Sequence, residues 1–430
     1  MLISFSVENF RSIKERQTLY LSAVKTCKEW ESENVARECG LRLLHSAVIY
    51  GANASGKTNF ILALERMRLF VLTSVDVDKS VHNLAVELFL LSEESLRRPE
   101  TFEVKFTCQG KVFTYGFSVR IKGKSPYEHE VVREWLTEDV EKGEVVYFLR
   151  ELRESSDGDS ENVISVNRAT MPQGVGLESR TRADALFLTV AAQFAEQTCL
   201  RISEYFRSSL NVVSGVNHAA LNQYTMNQLV SNPVVASEIK KLIRDADTGI
   251  RDVTVSANGN LTSMHAMYDA DGVPKGTAQF YFSVAESQGT QKIFDLSGAI
   301  LDTLSGGRVL VVDEFDAKLH PTLVRRLMML FNDARTNPRN AQLVVTVQSP
   351  DLLAFKVFYP PRRREILRLR RDQVYFVEKD VSESSQLMSL VEFKDERGRS
   401  LRNDKSVVKD YMMGAYGGIP FVKELVRAEG

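Results

Sequence analysis

The run Gly51-Ala52-Asn53-Ala54-Ser55-Gly56-Lys57-Thr58 constrains this chain more than any other feature. It fits G-x-x-x-x-G-K-[ST], and it stands directly after a short apolar run at 46–50 and before residues 59–72, whose apolar positions recur at helical spacing. Strand, Gly-rich loop and helix in that order make a phosphate cradle. Backbone N–H groups of the loop and of the helix N-terminus would hold the phosphates. The Lys57 ammonium would reach the β and γ phosphates, and the Thr58 hydroxyl would ligate Mg2+. Asn53, Ala54, Ser55, Gly56 and Asn59 complete the expected contacts to a cofactor read as ATP with Mg2+.

Elsewhere the apolar pattern is of two kinds. Residues 101–106 and 112–119 alternate apolar with polar, as does much of 86–147, which predicts antiparallel strands and hairpins. Val309-Leu310-Val311-Val312 and Leu343-Val344-Val345-Thr346-Val347 are instead solid apolar runs, separated by a helical pattern at 323–335. Such strands belong to a mostly parallel sheet covered on both faces. Residues 1–10 and 16–22 read as strands, 154–162 as a surface loop, 253–284 as strand-like segments and 291–304 as a helix. A mostly helical stretch is expected over 183–247, broken near Ser214-Gly215 and Asn232-Pro233.

The expected fold class is therefore α/β: a P-loop core with a mixed sheet flanked by helices, formed by residues 1–82 and 251–430. Into it is inserted an α+β lobe, an antiparallel β-rich segment (83–180) followed by a helical one (181–250). No heptad register persists in the insert, so no long coiled-coil arm is expected.

Charge limits the partners. With 55 Lys and Arg against 56 Asp and Glu the formal net charge is -1, so contact with nucleic acid would have to come from a local patch. The densest basic run is Pro360-Pro361-Arg362-Arg363-Arg364, continuing through Arg368, Arg370 and Arg371; it suits a solvated face as well as contact with a protein or a nucleic acid. Cys27, Cys39, Cys108 and Cys199 are too scattered for a zinc site or a disulfide framework and read as reduced thiols. Lacking an 18-residue apolar run and a signal-peptide start, the chain is expected to be soluble and cytoplasmic, with no membrane partner.

Asp313-Glu314 at the end of the 309–312 run suits a pair in which Asp313 holds Mg2+ and Glu314, the catalytic candidate beside Lys57, polarises water. By itself the pair also fits an ordinary strand-end turn. Two Ser/Gly runs compete for a signature offered to a partner's nucleotide. Leu304-Ser305-Gly306-Gly307 leaves only three residues before Val309 and reads better as a helix C-cap and turn. Glu286-Ser287-Gln288-Gly289-Thr290 precedes enough residues for a helix of about four turns, so Ser287 and Gly289 could meet a γ-phosphate across a dimer interface. A bulky residue at Gly289 is then expected to fill the space of that phosphate. Gln348 follows the second buried strand; it could donate to phosphate but cannot titrate, and it also suits a plain strand-end polar residue. Glu378 and Asp380 read as the end of a sheet-edge strand.

With these segments assembled, and with Phe5-Ser6-Val7-Glu8-Asn9-Phe10-Arg11-Ser12 at the start and Asp313-Glu314-Phe315-Asp316-Ala317-Lys318-Leu319-His320-Pro321 near the end, the chain resembles ABC-like ATPases of the AAA-15/AAA-21 type, kin to OLD-family and SMC ATPase domains. Later stretches, residues 371–378 and 416–420, extend the likeness. The resemblance implies an ABC-type core, Arg11 among the nucleotide contacts, a switch His where this chain has Gln348, and Asp316 and His320 at a dimer interface, although His320 also suits an isolated surface residue. It further implies an ATP-sandwich homodimer or higher oligomer. Members of this group resemble ATPase halves of abortive-infection, restriction-linked and PARIS-type anti-phage loci, paired with a separately encoded effector, often of Toprim type. The alternatives are an SMC/OLD-like DNA-associated ATPase and a nucleotide-held scaffold with little turnover.

Overall fold

The computed structural model describes residues 1–80, 84–154, 160–215, 218–246, 249–353, 369–394 and 407–416. Residues 360–364 and Arg368 of the basic run, and 417–420, lie outside the described residues. In chain order the strands are β1 (Leu2–Glu8), β2 (Gln17–Tyr20), β3 (Val35–Glu38), β4 (Leu41–Leu44), β5 (Ser46–Gly51), β6 (Glu100–Cys108), β7 (Lys111–Ile121), β8 (His129–Val140), β9 (Gly143–Glu154) and β10 (Ser160–Val166). They continue with β11 (Leu210–Val213), β12 (Ile250–Val255), β13 (Leu261–Tyr268), β14 (Pro274–Tyr281), β15 (Val309–Val312), β16 (Gln342–Thr346), β17 (Val374–Lys379) and β18 (Ser385–Ser389).

The alternating segments form a seven-stranded antiparallel sheet in the order β10-β9-β8-β7-β6-β1-β2. It takes β1 and β2 from ahead of residue 83, because β1 pairs with β6 in one register from Glu8–Thr101 to Ser4–Lys105 and, past a register shift, at Leu2–Phe106. The solid apolar runs form a mixed sheet, β11-β15-β16-β5-β17-β18, parallel except for β18.

Several details differ from the sequence reading. Arg370 and Arg371 of the basic run do not form a solvated face: Arg370 is fully buried against Asp372 and the carbonyls of Cys27 and Glu29, and Arg371 pairs with Glu29. The loop expected over 154–162 is shorter, because residues 160–162 already pair with 152–154 as β10 against β9. The stretch expected to be mostly helical contains β11, paired in parallel with β15; its four residues, Leu-Asn-Val-Val, are too few to show a period of their own. β17 lies between β5 and β18, so Glu378 is on an interior strand.

Side-chain alternation along the parallel strands explains the layers. Ala47 and Ile49 of β5, Val309 and Val311 of β15, and Tyr375 and Val377 of β17 join one core with the helix Lys57–Thr73 and the buried face of the antiparallel sheet. Val48, Tyr50, Leu310, Val312, Val374 and Phe376 point the other way, into a second core with the helices Pro233–Asp245, Gln288–Gly306 and Pro321–Asn332. A sheet buried on both faces has no place for polar alternation, which is why its strands read as continuous apolar runs. The helix Lys57–Thr73 is held between the sheets, with Phe60 edge-on to Phe5 of β1 at 5.5 Å. Gln342, fully buried at the start of β16, accepts from Leu2 N–H (2.6 Å) and donates to the carbonyls of Leu2 (3.0 Å) and Leu44 (2.9 Å), so one side chain ties the two sheets together.

Candidate functional site

β5 ends at Gly51, and the loop reaches the helix Lys57–Thr73 through two left-handed residues, Ala54 (φ 64°) and Gly56 (φ 110°). Such alternation turns successive N–H groups toward one concavity, the geometry of an anion nest. Gly56 is required for space as well as torsion, since a Cβ there would lie 2.1 Å from Ser385 Oγ and 2.8 Å from Ser12 Oγ. Those two serines clamp the loop from outside: Ser385 Oγ donates to Ser55 O (2.6 Å) and is bonded to Ser12 Oγ (2.8 Å). Ser55 Oγ is buried with no hydrogen-bond partner. The Lys57 ammonium, 7% exposed, donates to Gly51 O (2.7 Å) and Ala52 O (3.0 Å). Burial lowers its pKa, opposed by the charges of Asp313, Asp316 and Glu314.

β15 and β16 bring the acids to the same end of the sheet. Asp313 Oδ2 accepts from Thr58 Oγ1 at 2.8 Å, and its Oδ1 accepts from Thr346 Oγ1 at 2.5 Å. The same Thr346 hydroxyl accepts from Glu314 N–H at 2.8 Å. Glu314 has φ 48°, and its exposed carboxylate accepts from Gln348 Nε2 at 3.4 Å. Lys57, Thr58, Asp313, Glu314 and Gln348 are thus gathered at one end of the sheet, beyond the C-terminal ends of its interior strands. Nothing in the sequence marks Thr346 as a site residue, because a β-branched residue ending an apolar strand looks like packing.

Asp316 faces inward: its Oδ2 accepts from the backbone N–H groups of Gln348 (2.9 Å) and Ser349 (2.7 Å), organising the turn after β16. His320 caps the helix Pro321–Asn332, Nδ1 accepting from Thr322 N–H at 3.2 Å. Asn59 donates to Ser12 Oγ (2.8 Å). Arg11 is ion-paired with Glu87, which also holds Arg66, and with Ser12 and Asn59 it lines an open cleft beside the phosphate loop.

Ser287 is exposed and is the N-cap of the helix Gln288–Gly306, its Oγ accepting from Thr290 N–H at 3.2 Å. The run 304–307 is the other end of that helix, closed by Gly307 in the left-handed region (φ 64°) with its N–H on Thr303 O. Gly289 rests on the chain's own turn after β15, where a Cβ would meet Lys318 O at 2.7 Å. A bulky residue at 289 would therefore disturb that packing before it met any partner. Neither Ser287 nor Gly289 has a described bond to Lys57, Thr58 or Asp313 of the same chain.

More than half of the chain, residues 46–173 and 231–354, matches the AAA-21 family, described as AAA domain, putative AbiEii toxin, Type IV TA system. The chain belongs to this AAA-21 family. It carries an AAA-type ATPase domain on a P-loop core. A solved structure of the SmcHead bound to the C-winged helix domain of ScpA is similar in outline, with a TM-score of 0.45 and 12% identity over 92% of this chain and 98% of that one. No curated protein matches the sequence.

Mg2+ accompanying a nucleotide fits the residues of this AAA-21 chain. The Thr58 hydroxyl and the Asp313 carboxylate are hard oxygen donors 2.8 Å apart, and Mg2+ usually takes one or two carboxylates and fills its shell with phosphate oxygens and water. Among the described residues no cluster of three or more His, Cys, Asp or Glu could hold a metal alone. No described helix is long and apolar enough to cross a membrane.

Proposed function

We propose that the chain binds Mg-ATP at Gly51–Thr58 and hydrolyses it, with Glu314 polarising the attacking water and with Ser287 and Gly289 contributed by a second copy across an ATP-held homodimer. The supporting observation is the hydrogen-bonded chain Thr58–Asp313–Thr346–Glu314, which joins the metal-side groups to the backbone N–H of the candidate base through one buried hydroxyl. Thr58 and Asp313 would hold Mg2+, whose charge would offset that of the phosphates. Lys57 would exchange its two backbone carbonyls for β and γ phosphate oxygens, and Ser55 Oγ, now unpaired, would gain a partner. Thr346 would keep Asp313 and the Glu314 backbone in register, and Gln348 would orient the Glu314 carboxylate. The family description and the defence-locus resemblance favour the ATPase half of a bacterial anti-phage system, in which ATP-dependent closure gates a separately encoded effector.

Glu314→Gln tests this reading. It is expected to keep ATP binding, to slow hydrolysis by roughly 10²–10⁴-fold, and to accumulate as an ATP-dependent dimer in mass photometry. Unchanged hydrolysis together with ATP-independent assembly would remove Glu314 from the role. The non-titrating Gln348 beside Glu314 favours one second reading, a nucleotide-held scaffold with little turnover. In that case wild type and Glu314→Gln dimerise equally on ATP, and wild-type hydrolysis is already near background.

A further inference from the structure

The helix beginning after Ser287 carries a buried cation with no part in the proposed hydrolysis. Lys292 lies in its second turn, 6% exposed, and its ammonium donates to the backbone carbonyls of Glu314 (2.6 Å) and Ala317 (3.0 Å). Both belong to the turn that follows β15, which also contains two left-handed non-glycine residues, Glu314 (φ 48°) and Lys318 (φ 65°). L side chains rarely settle in that region unless the surroundings hold them there.

Three sets of contacts grip this turn. Thr58 and Thr346 hold Asp313. Asp316 is tied to the backbone of Gln348 and Ser349. From the third side come Lys292 and the close approach of Gly289 to Lys318 O. A desolvated ammonium satisfied by carbonyls is an expensive way to stabilise a fold, since an apolar residue of similar volume would often serve as well. Burial lowers the Lys292 pKa to about 8, against the charges of Asp316, Glu314 and Asp313.

We infer that Lys292 is a positioning residue that locks the Ser287 helix to the Glu314 turn of the same protomer, so that the site containing Asp313 and the signature presented to the other copy move as one body. This rests on the ATPase reading above. Through Lys292, nucleotide engaged at Thr58 and Asp313 fixes the turn, the turn fixes the helix, and Ser287 is presented at a defined angle.

The test uses the full chain with Lys292→Met, which keeps length and removes the donors, and Lys292→Arg, whose forked guanidinium can still donate to two carbonyls. Lys292→Met is expected to keep its melting temperature and its affinity for a fluorescent ATP analogue, while kcat falls at least 10-fold with KM little changed. Lys292→Arg is expected to recover most of that kcat. In the Glu314→Gln background, adding Lys292→Met should abolish the ATP-dependent dimer. Wild-type kcat in Lys292→Met overturns the inference. So does a parallel loss of melting temperature and activity with no rescue by Arg, which marks an ordinary structural residue; if Lys292→Met does not fold, Lys292→Arg at wild-type melting temperature but with the Met-level kcat expected above does the same. Absence of ATP turnover by the wild type sinks the ATPase reading instead, and the two failures are thereby distinct.

Discussion

In the antiparallel sheet, Glu134 and Arg150 are both fully buried, and protein atoms satisfy both. Glu134 accepts from Tyr115 OH (3.0 Å) and from the N–H groups of Phe187 (2.7 Å) and Leu188 (2.9 Å). Arg150 donates to the carbonyls of Ala185 (2.6 Å), Ala183 (3.0 Å) and Arg182 (3.2 Å) and to Asn162 Oδ1 (3.1 Å). At the end of the mixed sheet the polar groups are not closed off in this way: Ser55 Oγ has no partner, Lys57 leans on backbone carbonyls, and Thr58 and Glu314 are exposed. Saturated charge fixes one chain segment against another. Charge left partly unsatisfied at a strand end stands ready for a ligand.

The sharpest way to break this contrast is Lys57→Ala. Removing the cation from the phosphate loop should abolish ATP turnover, at least about 10³-fold, with a melting temperature close to wild type. Appreciable hydrolysis at saturating Mg-ATP would show that the open charges are not those of the active centre. Glu134→Ala should do the reverse: it removes the carboxylate that lies 3.8 Å from the Arg150 guanidinium and leaves that buried charge unpaired, costing about 3–5 kcal/mol in denaturant melts, while turnover per folded molecule is retained. Loss of turnover without loss of stability would instead link the antiparallel sheet to the chemistry.

A smaller effect sharpens the same point through pH. Burial, aided by the Lys79 ammonium, lowers the His129 pKa to about 4, so the folded chain keeps this imidazole neutral while the unfolded chain protonates it near 6.5. The associated stability is complete above about 6.5 and is lost as pH falls toward 4, on the order of 2–3 kcal/mol. Glu100, raised to about 8 by burial, has the opposite sign: the fold favours its protonated form, and stability declines as pH rises from about 4.5 to 8. Melting temperatures across pH 4–8 should flatten at the acid end in His129→Gln and at the alkaline end in Glu100→Gln. An unchanged profile in both variants would mean that these groups do not report on folding.

What could be read from the sequence was whatever the chain states locally. The phosphate loop, Asp313-Glu314 after four apolar residues, and Ser287 ahead of a helix each fit within one short segment, and periodicity separated the antiparallel strands from the parallel ones. The rest depends on partners far apart in sequence. Thr346 meets Asp313 across 33 residues and Ser385 meets Ser55 across 330. Lys292 looks like a solvent-facing helix lysine until the turn after β15 is laid against it. β11 was lost among helices because a four-residue strand shows no repeat, and Asn59 turned to Ser12 because the N-terminal loop passes over the phosphate loop.

The order β16-β5-β17 has a consequence for the chain while it is being made. β5 ends at Gly51, but its two neighbours are residues 342–346 and 374–379, so the strand that leads into the phosphate loop waits for roughly 290 further residues before either edge can pair. At about 5–20 residues per second that is about 15–60 s on the ribosome. During this interval the antiparallel sheet, complete by Val166, can already be folded while the nascent nucleotide pocket has no second wall. A ribosome stalled before residue 342 would thus display a folded β lobe that cannot yet retain ATP.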